Sequence, residues 1–162
     1  MATSARPVAL ITGASAGIGA ALAREAANDG HDLVLVARRR EPMEALAAEL
    51  KSTGAEITII PADLSRPGAA AALMKIVEQR RLTIDTLINN AGLGDTGRFD
   101  QENPESILSM LQVNVVALTE LTGWCYRRWW RVNAARSCSL RLWLRSSPVL
   151  AWQFIMQPSP TC

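Results

Sequence analysis

Short apolar runs alternate with segments of helical periodicity over the first 122 residues. Four runs have the continuous apolar character of strands that are buried on both faces, at residues 8–11, 33–37, 57–60 and 84–88. The segments that follow them carry apolar residues at helical spacing and predict helices over 20–27, 42–50, 67–79 and 103–122. Strands that alternate with helices form parallel sheets covered by helices. We therefore predict an α/β fold with a doubly wound parallel sheet.

The first predicted strand leads into residues 12–19, whose sequence is TGASAGIG, and a helical pattern follows. Gly13, Gly17 and Gly19 allow a tight turn and a close approach of the backbone to a ligand, and Ser15 adds a hydroxyl for phosphate. The amides and the dipole of the following helix, which begins near Ile18, attract negative charge. This order predicts a site for the pyrophosphate of a dinucleotide. The alternative is an ordinary strand-to-helix turn.

The spacing TGxxxGxG resembles that of the short-chain dehydrogenase/reductase family, and the similarity extends over residues 8–122. The resemblance implies a Rossmann-like sheet with strand order 3-2-1-4, ending here after the fourth strand and the helix that follows it. It also implies an oxidoreductase that moves a hydride between a nicotinamide cofactor and a carbonyl or an alcohol.

A basic cluster follows the second predicted strand, at the edge of the sheet where such folds bind ligands. Sites that prefer NAD have a carboxylate here for the ribose hydroxyls, whereas this chain has Arg38, followed by Arg39. A guanidinium group pairs well with phosphate. We therefore expect NADP (NADPH) to be preferred over NAD as the cofactor. A solvated run of charges is the alternative.

The third and fourth predicted strands also end in residues that match the family. Asp63 and Leu64 resemble its adenine-contacting pair, although the aspartate on its own would be read as a helix cap. Asn90, Ala91 and Gly92 resemble the end of the family's NNAG motif, which shapes the floor of the nucleotide site. The resemblance therefore implies that these five residues bind the cofactor.

Asn114 lies inside the last predicted helix. In the family, an asparagine at this place supports a proton relay through water, beside a serine, a tyrosine that acts as general acid or base, and a lysine. The family's Tyr-x-x-x-Lys should follow further along the chain. Here the single tyrosine, Tyr126, is followed four positions later by Trp130, and both lysines, Lys51 and Lys75, lie upstream. We expect an inactive chain in which Asn114 is a remnant of the catalytic relay.

The composition changes at Gly123. All 15 acidic residues precede it, whereas six of the 17 arginines and lysines follow it, together with all five tryptophans and all three cysteines. The cysteines, Cys125, Cys138 and Cys162, match neither a metal site nor a secreted disulfide framework. We divide the chain into a Rossmann-like NADP-binding part, residues 1–122, and a tail outside the family pattern, residues 123–162.

A shift of the reading frame near Gly123 is our hypothesis for this tail. In a neighbouring frame, codons that the tail's amino acids allow can encode the family's serine segment and its Tyr-x-x-x-Lys. The serine would fall across residues 141–142, the tyrosine across 154–155 and the lysine across 158–159, which agrees with the family's spacing from Asn114. Such a tail should be poorly ordered, and the fourth strand should remain an unpaired edge. The alternative is that residues 139–145, which could alternate as a strand, weakly occupy that edge.

The alternative is a non-catalytic nucleotide-binding or interaction protein with a genuine basic, aromatic tail for lipid or nucleic acid. Against it, residues 127–131 place charges and rings on every face of a helix. We find no apolar stretch as long as a membrane span and no secretory pattern. We therefore expect a cytoplasmic protein that binds a dinucleotide and, in the intact family, a small carbonyl or alcohol substrate. Neither nucleic acid nor a membrane is an expected partner, and the pattern leaves the oligomeric state open.

Overall fold

The computed structural model describes residues 6–96, 98–133, 140–146 and 152–158. Strands and helices alternate as the apolar pattern predicts. The strands are β1 (Val8–Thr12), β2 (Asp32–Ala37), β3 (Ile57–Pro61), β4 (Thr86–Asn89), β5 (Leu140–Ser146) and β6 (Trp152–Pro158). The helices are α1 (Gly17–Asn28), α2 (Arg40–Glu49), α3 (Ala69–Gln79), α4 (Pro104–Leu111) and α5 (Leu118–Asn133), with a π-helical segment, Gln112–Ala117, between the last two.

These strands form one sheet in the order β3-β2-β1-β4-β6-β5. β1 pairs in parallel with β2 on one side and with β4 on the other, so that Ala9 lies opposite both Leu33 and Thr86. β2 pairs in parallel with β3. The predicted doubly wound parallel sheet with strand order 3-2-1-4 is confirmed.

Apolar side chains cover both faces of the sheet, because alternate residues of a strand point to opposite faces. On one face, Ile11 and Leu35 pack with buried residues of α1 and α2, among them Ala23 and Met43. On the other face, Leu10 and Leu87 pack with residues of α3, of the π-helical segment and of α5. The two helix layers leave the carboxyl ends of β1 to β4 uncovered, side by side at one end of the sheet.

The helix after β4 is longer than predicted. It begins with a cap, in which the amide of Glu105 donates to the Asn103 side chain at 2.9 Å, and with Pro104 at the first helical position. The helix then continues through α4, the π-helical segment and α5 to Asn133. The expected end at about Thr122 is wrong, and α5 crosses the predicted boundary between domain and tail.

A buried stripe explains why α5 continues. Val113, Ala117, Leu121, Cys125 and Trp129 follow one another at every fourth position, and all five are buried. Trp129 donates its indole N–H to the Ile84 carbonyl at 2.7 Å. Burial raises the pKa of the Cys125 thiol to about 12, so that it is neutral at physiological pH and packs as an apolar group.

The two adjacent tryptophans of α5 therefore lie on different faces of the helix. Trp129 points inward with 7% of its surface exposed, whereas Trp130 points outward with 61% exposed. Rings and arginines thus occupy several faces of this segment, as expected, and the buried stripe that anchors it continues from upstream residues that the tail's composition does not reveal.

A hairpin covers the edge of the sheet beside β4. β5 and β6 pair antiparallel, and β6 pairs antiparallel with β4, with Leu87 opposite Met156 and Asn89 opposite Phe154. The expected unpaired edge at β4 is wrong, since β6 supplies its backbone partner and β5 takes the outer position. Residues 134–139, 147–151 and 159–162, with Cys138 and Cys162, lie outside the described residues, and the frameshift stays a prediction.

The continuous helix also corrects the expectation that no apolar stretch of the chain is as long as a membrane span. Residues Pro104–Trp130 contain an 18-residue window of mean hydropathy 1.2, and this helix is long and apolar enough to cross a membrane by length and composition alone. The core helices of water-soluble proteins pass the same test, although here 17% of the window is buried.

The two adjacent tryptophans of α5 provide a matched test of this packing. Trp129→Ala should lower the free energy of unfolding by about 3–5 kcal/mol, because it removes a buried aromatic ring and leaves the Ile84 carbonyl without its donor. Trp130→Ala should change it by less than about 0.5 kcal/mol, because its ring is exposed. Urea unfolding followed by circular dichroism measures both. Equal effects of the two substitutions would show that α5 does not pack through Trp129.

Candidate functional site

The carboxyl ends of β1 to β4 surround a cavity of about 290 Å³. Because the strands are parallel, residues far apart in sequence meet at this edge. The predicted site residues that line the cavity are Gly13, Ser15, Arg38, Asp63, Leu64, Asn90, Ala91 and Gly92. The structure thus brings together residues from all four strand ends.

The glycine turn packs closely against the end of β4. Gly13 has φ +68°, and a Cβ there would lie 2.7 Å from Nδ2 of Asn90. At Gly19, a Cβ would overlap the carbonyl oxygen of Gly13 and the same Asn90 nitrogen. Both positions therefore require glycine for the close approach of α1 to the strand ends. At Gly17 a Cβ would meet no other atom, but the backbone has φ +58°. Glycine is therefore favoured there by the backbone conformation and not by close packing.

Thr12 joins the end of β1 to the end of β4. Thr12 is buried, with 1% of its surface exposed. Its hydroxyl donates to the Ile88 carbonyl at 3.3 Å and accepts from the amides of Asn90 and Ala91, each at 3.0 Å. Asn90 returns the contact by donating Nδ2 to the carbonyls of Thr12 at 3.0 Å and Gly13 at 3.3 Å. These bonds hold the glycine turn and the loop after β4 in one arrangement.

The N-terminus of α1 faces this arrangement without a side-chain cap. Ala16 is the N-cap residue, and its methyl group has no oxygen with which to accept the first amides of the helix. Those amides are suited to an anion such as a pyrophosphate. Ser15 and Ala16 line the cavity, whereas Ile18 in the first turn is 54% exposed and is not part of the lining.

A basic corner lies where β2 ends. Arg38 and Arg39 both line the cavity and are exposed, and neither makes a salt bridge within the described part of the chain. Asp63 stands across from them after β3. Its carboxylate accepts the Ser65 hydroxyl at 2.7 Å and the Ser65 amide at 3.2 Å, and these bonds hold its pKa below the ordinary value, with Arg66 and Arg38 adding to the effect. The corner thus has two guanidinium groups available for a phosphate.

Asn114 positions the loop after β4 and is not itself part of the cavity lining. Its Nδ2 donates to the Leu93 carbonyl at 2.8 Å, and its Oδ1 accepts the Leu93 amide at 2.9 Å. Asn114 also lies in the π-helical segment, a feature that is frequent at functional sites. Its neighbour Val113 lines the cavity, so that this helix forms one wall of the site.

Sequence reasoning missed several residues of the site. Thr12 opens the glycine motif but has no predicted role, although a hydroxyl in a buried position must find partners. Ser65 and Leu93 had no motif to indicate them. The remaining lining residues outside the prediction are Ala16, Val36, Ala37, Ala62 and Val113, and the predicted supporting arginine, Arg39, is among the lining residues.

The geometry fits a dinucleotide, because an uncapped helix N-terminus, a glycine turn and a basic corner surround one cavity at the sheet edge. These features define a Rossmann-like nucleotide-binding fold. The family model described as short chain dehydrogenase matches residues 7–136, and the chain belongs to this family.

Two known proteins illustrate the sequence relationship. The chain is 35% identical over 125 residues to the short-chain dehydrogenase anuI of Penicillium roqueforti, covering 76% of this chain and 50% of that protein. It is 38% identical over 122 residues to dehydrogenase/reductase SDR family member 11 of Gallus gallus, covering 74% and 48%. The chain thus spans about half the length of these relatives.

Solved structures match a similar share of the chain. A short-chain dehydrogenase from Sphingobium yanoikuyae in complex with NADPH is 43% identical, with a TM-score of 0.71, and the match covers 78% of this chain and 50% of that one. The bulky-bulky ketone specific alcohol dehydrogenase from Comamonas testosteroni is 39% identical, with a TM-score of 0.72 and coverage of 80% and 52%.

Asn114→Ala tests whether this side chain holds the cavity wall. The substitution removes both hydrogen bonds to Leu93 and should lower the free energy of unfolding by about 1–3 kcal/mol, because two half-buried backbone groups lose their partner. Gln112→Ala, in the same π-helical segment, is the control, since no side-chain hydrogen bond of Gln112 is found among the described residues. Hydrogen exchange at the Leu93 amide should accelerate in the first variant and not in the second. Unchanged protection of Leu93 would contradict the assignment.

Proposed function

We propose that this chain binds NADP(H) as the nucleotide-binding part of an oxidoreductase that transfers a hydride between the nicotinamide and a carbonyl or an alcohol. The observation that carries the proposal is the basic corner, where Arg38 and Arg39 line the cavity at the end of β2 and no carboxylate occupies that strand end. Two guanidinium groups suit the 2′-phosphate that distinguishes NADP from NAD.

The rest of the cavity supports a dinucleotide in one orientation. The amides at the start of α1, with the Ser15 hydroxyl, would hold the pyrophosphate. Asp63 and Leu64, beside the basic corner, would hold the adenine. Among the solved structures, those from Sphingobium yanoikuyae and from a metagenomic short-chain oxidoreductase contain NADPH and NADP, respectively, which supports the same class of cofactor here.

Bound NADPH would supply the hydride, and the chain's own residues would bind and orient it. We propose that the 162 residues given bind the cofactor without turning it over. Tyr126 lies on α5, does not line the cavity, and is followed by Trp130 where the family has a lysine. The competing proposal is a non-catalytic nucleotide-binding or interaction protein, which the basic, aromatic composition of residues 123–162 favours.

Arg38→Ala tests the cofactor preference. The unsubstituted chain should bind NADPH more tightly than NADH, and the substitution should weaken NADPH binding by about one to two decades, since a hydrogen bond to a charged group contributes about 1.5–3 kcal/mol. NADH affinity should change little. Arg40→Ala is the matched control, because Arg40 contacts Glu44 on α2 at 3.4 Å and does not line the cavity. Isothermal titration of the three proteins with each cofactor gives six affinities, and equal binding of NADPH and NADH by the unsubstituted chain would refute the preference.

A turnover assay tests the second part of the proposal. We expect NADPH binding without measurable oxidation of NADPH when a panel of aldehydes and ketones is added, because a general acid and its lysine are missing beside the cavity among the described residues. Absorbance of the reduced nicotinamide follows the reaction. A family member that is known to be active serves as the positive control. Sustained oxidation that requires Arg38 would show that this chain is itself an enzyme.

A further inference from the structure

The turn after β3 contains a hydroxyl whose role the proposed cofactor contacts leave open. The backbone of this turn is fixed at the edge of the cavity, because the Ala62 amide donates to the Ala37 carbonyl at 2.9 Å and the Leu64 side chain is buried in the core. Four successive residues of the turn, Ala62 to Ser65, line the cavity. A polar side chain on this anchored turn therefore meets a bound ligand from a defined position.

Ser65 holds one oxygen of the Asp63 carboxylate with two hydrogen bonds. Its hydroxyl donates to Oδ1 at 2.7 Å, and its amide donates to the same oxygen at 3.2 Å. Ser65 is not the cap of the next helix, since α3 begins at Ala69 and its N-cap residue is Gly68. The Ser65 hydroxyl thus serves the carboxylate, and two donors on a single oxygen fix the rotation of the Asp63 side chain.

The second carboxylate oxygen of Asp63, Oδ2, is left for a ligand. Among the described residues it contacts the guanidinium of Arg66, whose Nε lies 3.4 Å away on a side chain that is 82% exposed. An ion pair with so exposed a partner contributes little. The Asp63 side chain is itself 34% exposed and lines the cavity, so that a bound ligand can reach Oδ2.

The charge of Asp63 determines which ligand groups suit Oδ2. The hydrogen bonds from Ser65, with Arg66 and Arg38 adding to the effect, hold the pKa of this carboxyl below its ordinary value, so that it is ionised at neutral pH. An ionised carboxylate only accepts hydrogen bonds, and the group that faces it must therefore be a donor. Adenine has an amino group at position 6. Hypoxanthine has a carbonyl oxygen there, which a carboxylate repels.

On the basis of the proposed function, which puts adenine beside Asp63 and Leu64, we propose that Ser65 is a positioning residue that makes the site selective for adenine. By holding Oδ1 with both of its donors, Ser65 aims Oδ2 at the 6-amino group of the base. Without the hydroxyl, the carboxylate would be free to turn toward the guanidinium group of Arg66 or of Arg38, both of which act on its charge.

A role in stabilising the turn alone is the competing explanation of the Ser65 hydrogen bonds. In that case, loss of the hydroxyl would weaken the binding of every dinucleotide by the same factor, because the turn would loosen equally around either base. A contact from Asp63 to a ribose hydroxyl has the same consequence, since the ribose does not change with the base. Position 6 of the base therefore separates both explanations from adenine selectivity through Ser65.

Titration of the full 162-residue chain with NADPH and with its hypoxanthine analogue tests the proposal. The unsubstituted chain should bind NADPH about tenfold more tightly than the analogue, because the analogue loses a hydrogen bond to a charged group and places an acceptor against it. Ser65→Ala should reduce this ratio about fivefold, mainly by weakening the binding of NADPH. The preference for NADPH over NADH should stay unchanged in this variant, since Arg38 and Arg39 remain in place.

Three further variants show whether Ser65 acts through the carboxylate. Ser65→Thr should keep the ratio, because threonine retains both the hydroxyl and the amide. In an Asp63→Asn background, Ser65→Ala should change the ratio by less than about twofold, since the charged partner of the hydroxyl is already gone. Ser52→Ala is the matched control, because Ser52 is exposed and does not line the cavity. Circular dichroism confirms that each variant folds.

The pKa of the Asp63 carboxyl provides a measurement that needs no cofactor. In an NMR titration of the side-chain carboxyl carbon, Ser65→Ala should raise this pKa toward its ordinary value, because the Ser65 hydroxyl is the largest cause of the lowering. The carboxyl stays ionised at neutral pH in both proteins, since its ordinary pKa is about 3.9. A change in the binding ratio at neutral pH therefore reflects the position of the carboxylate and not its charge.

Three results would overturn the proposal. Equal binding of NADPH and the hypoxanthine analogue by the unsubstituted chain would remove adenine selectivity and leave the proposed function intact. An unchanged ratio in Ser65→Ala would show that Asp63 needs no help from the hydroxyl. Failure of the unsubstituted chain to bind either dinucleotide would overturn the proposed function together with the role of Ser65.

Discussion

The candidate site depends on one buried hydroxyl, that of Thr12. It receives the amides of Asn90 and Ala91 and donates to the Ile88 carbonyl, so that the end of β1 and the end of β4 are fixed to each other. The Asn90 side chain in turn donates hydrogen bonds to the carbonyls of Thr12 and Gly13. This arrangement requires glycine at positions 13 and 19, because a side chain at Gly13 or Gly19 would occupy the space that Asn90 fills. The turn that would hold a pyrophosphate is thus shaped by contacts within the sheet before any ligand binds.

The parallel sheet and most of the cavity could be predicted from the sequence because their signals are local. A continuous apolar run predicts a strand buried on both faces, and parallel strands place their carboxyl ends together. Arg38 follows such a run directly, and Asp63 and Asn90 follow two others within three residues, where the family resemblance indicates them; all three line the cavity. Ile18 is different, because it belongs to the glycine motif that predicts cofactor binding, whereas it is 54% exposed and is not part of the lining.

The rest could not be predicted because it depends on contacts between distant segments. The continuation of α5 depends on Trp129, whose partner is the carbonyl of Ile84, 45 positions earlier. The pairing of β6 with β4 joins strands that no turn motif connects, and it is antiparallel, whereas β1 to β4 pair in parallel. Asn114 was predicted by resemblance as part of a catalytic relay, whereas the structure adds two bonds to the Leu93 backbone that no periodicity indicates.

The long helix is attached by polar contacts to β4, beside the candidate site. Asn114 binds Leu93, Thr122 accepts from Asn89 at 3.0 Å, and Trp129 donates to Ile84, so that three polar contacts along the helix attach it to β4 and its flanking loops. Polar contacts of this kind fix the rotation of a helix as well as its position, because each requires one direction of approach. With its rotation fixed, the helix must present the same residues outward in every molecule. The exposure of Leu108, Leu111 and Val115 therefore follows from this fixed rotation and not from a loosely packed helix.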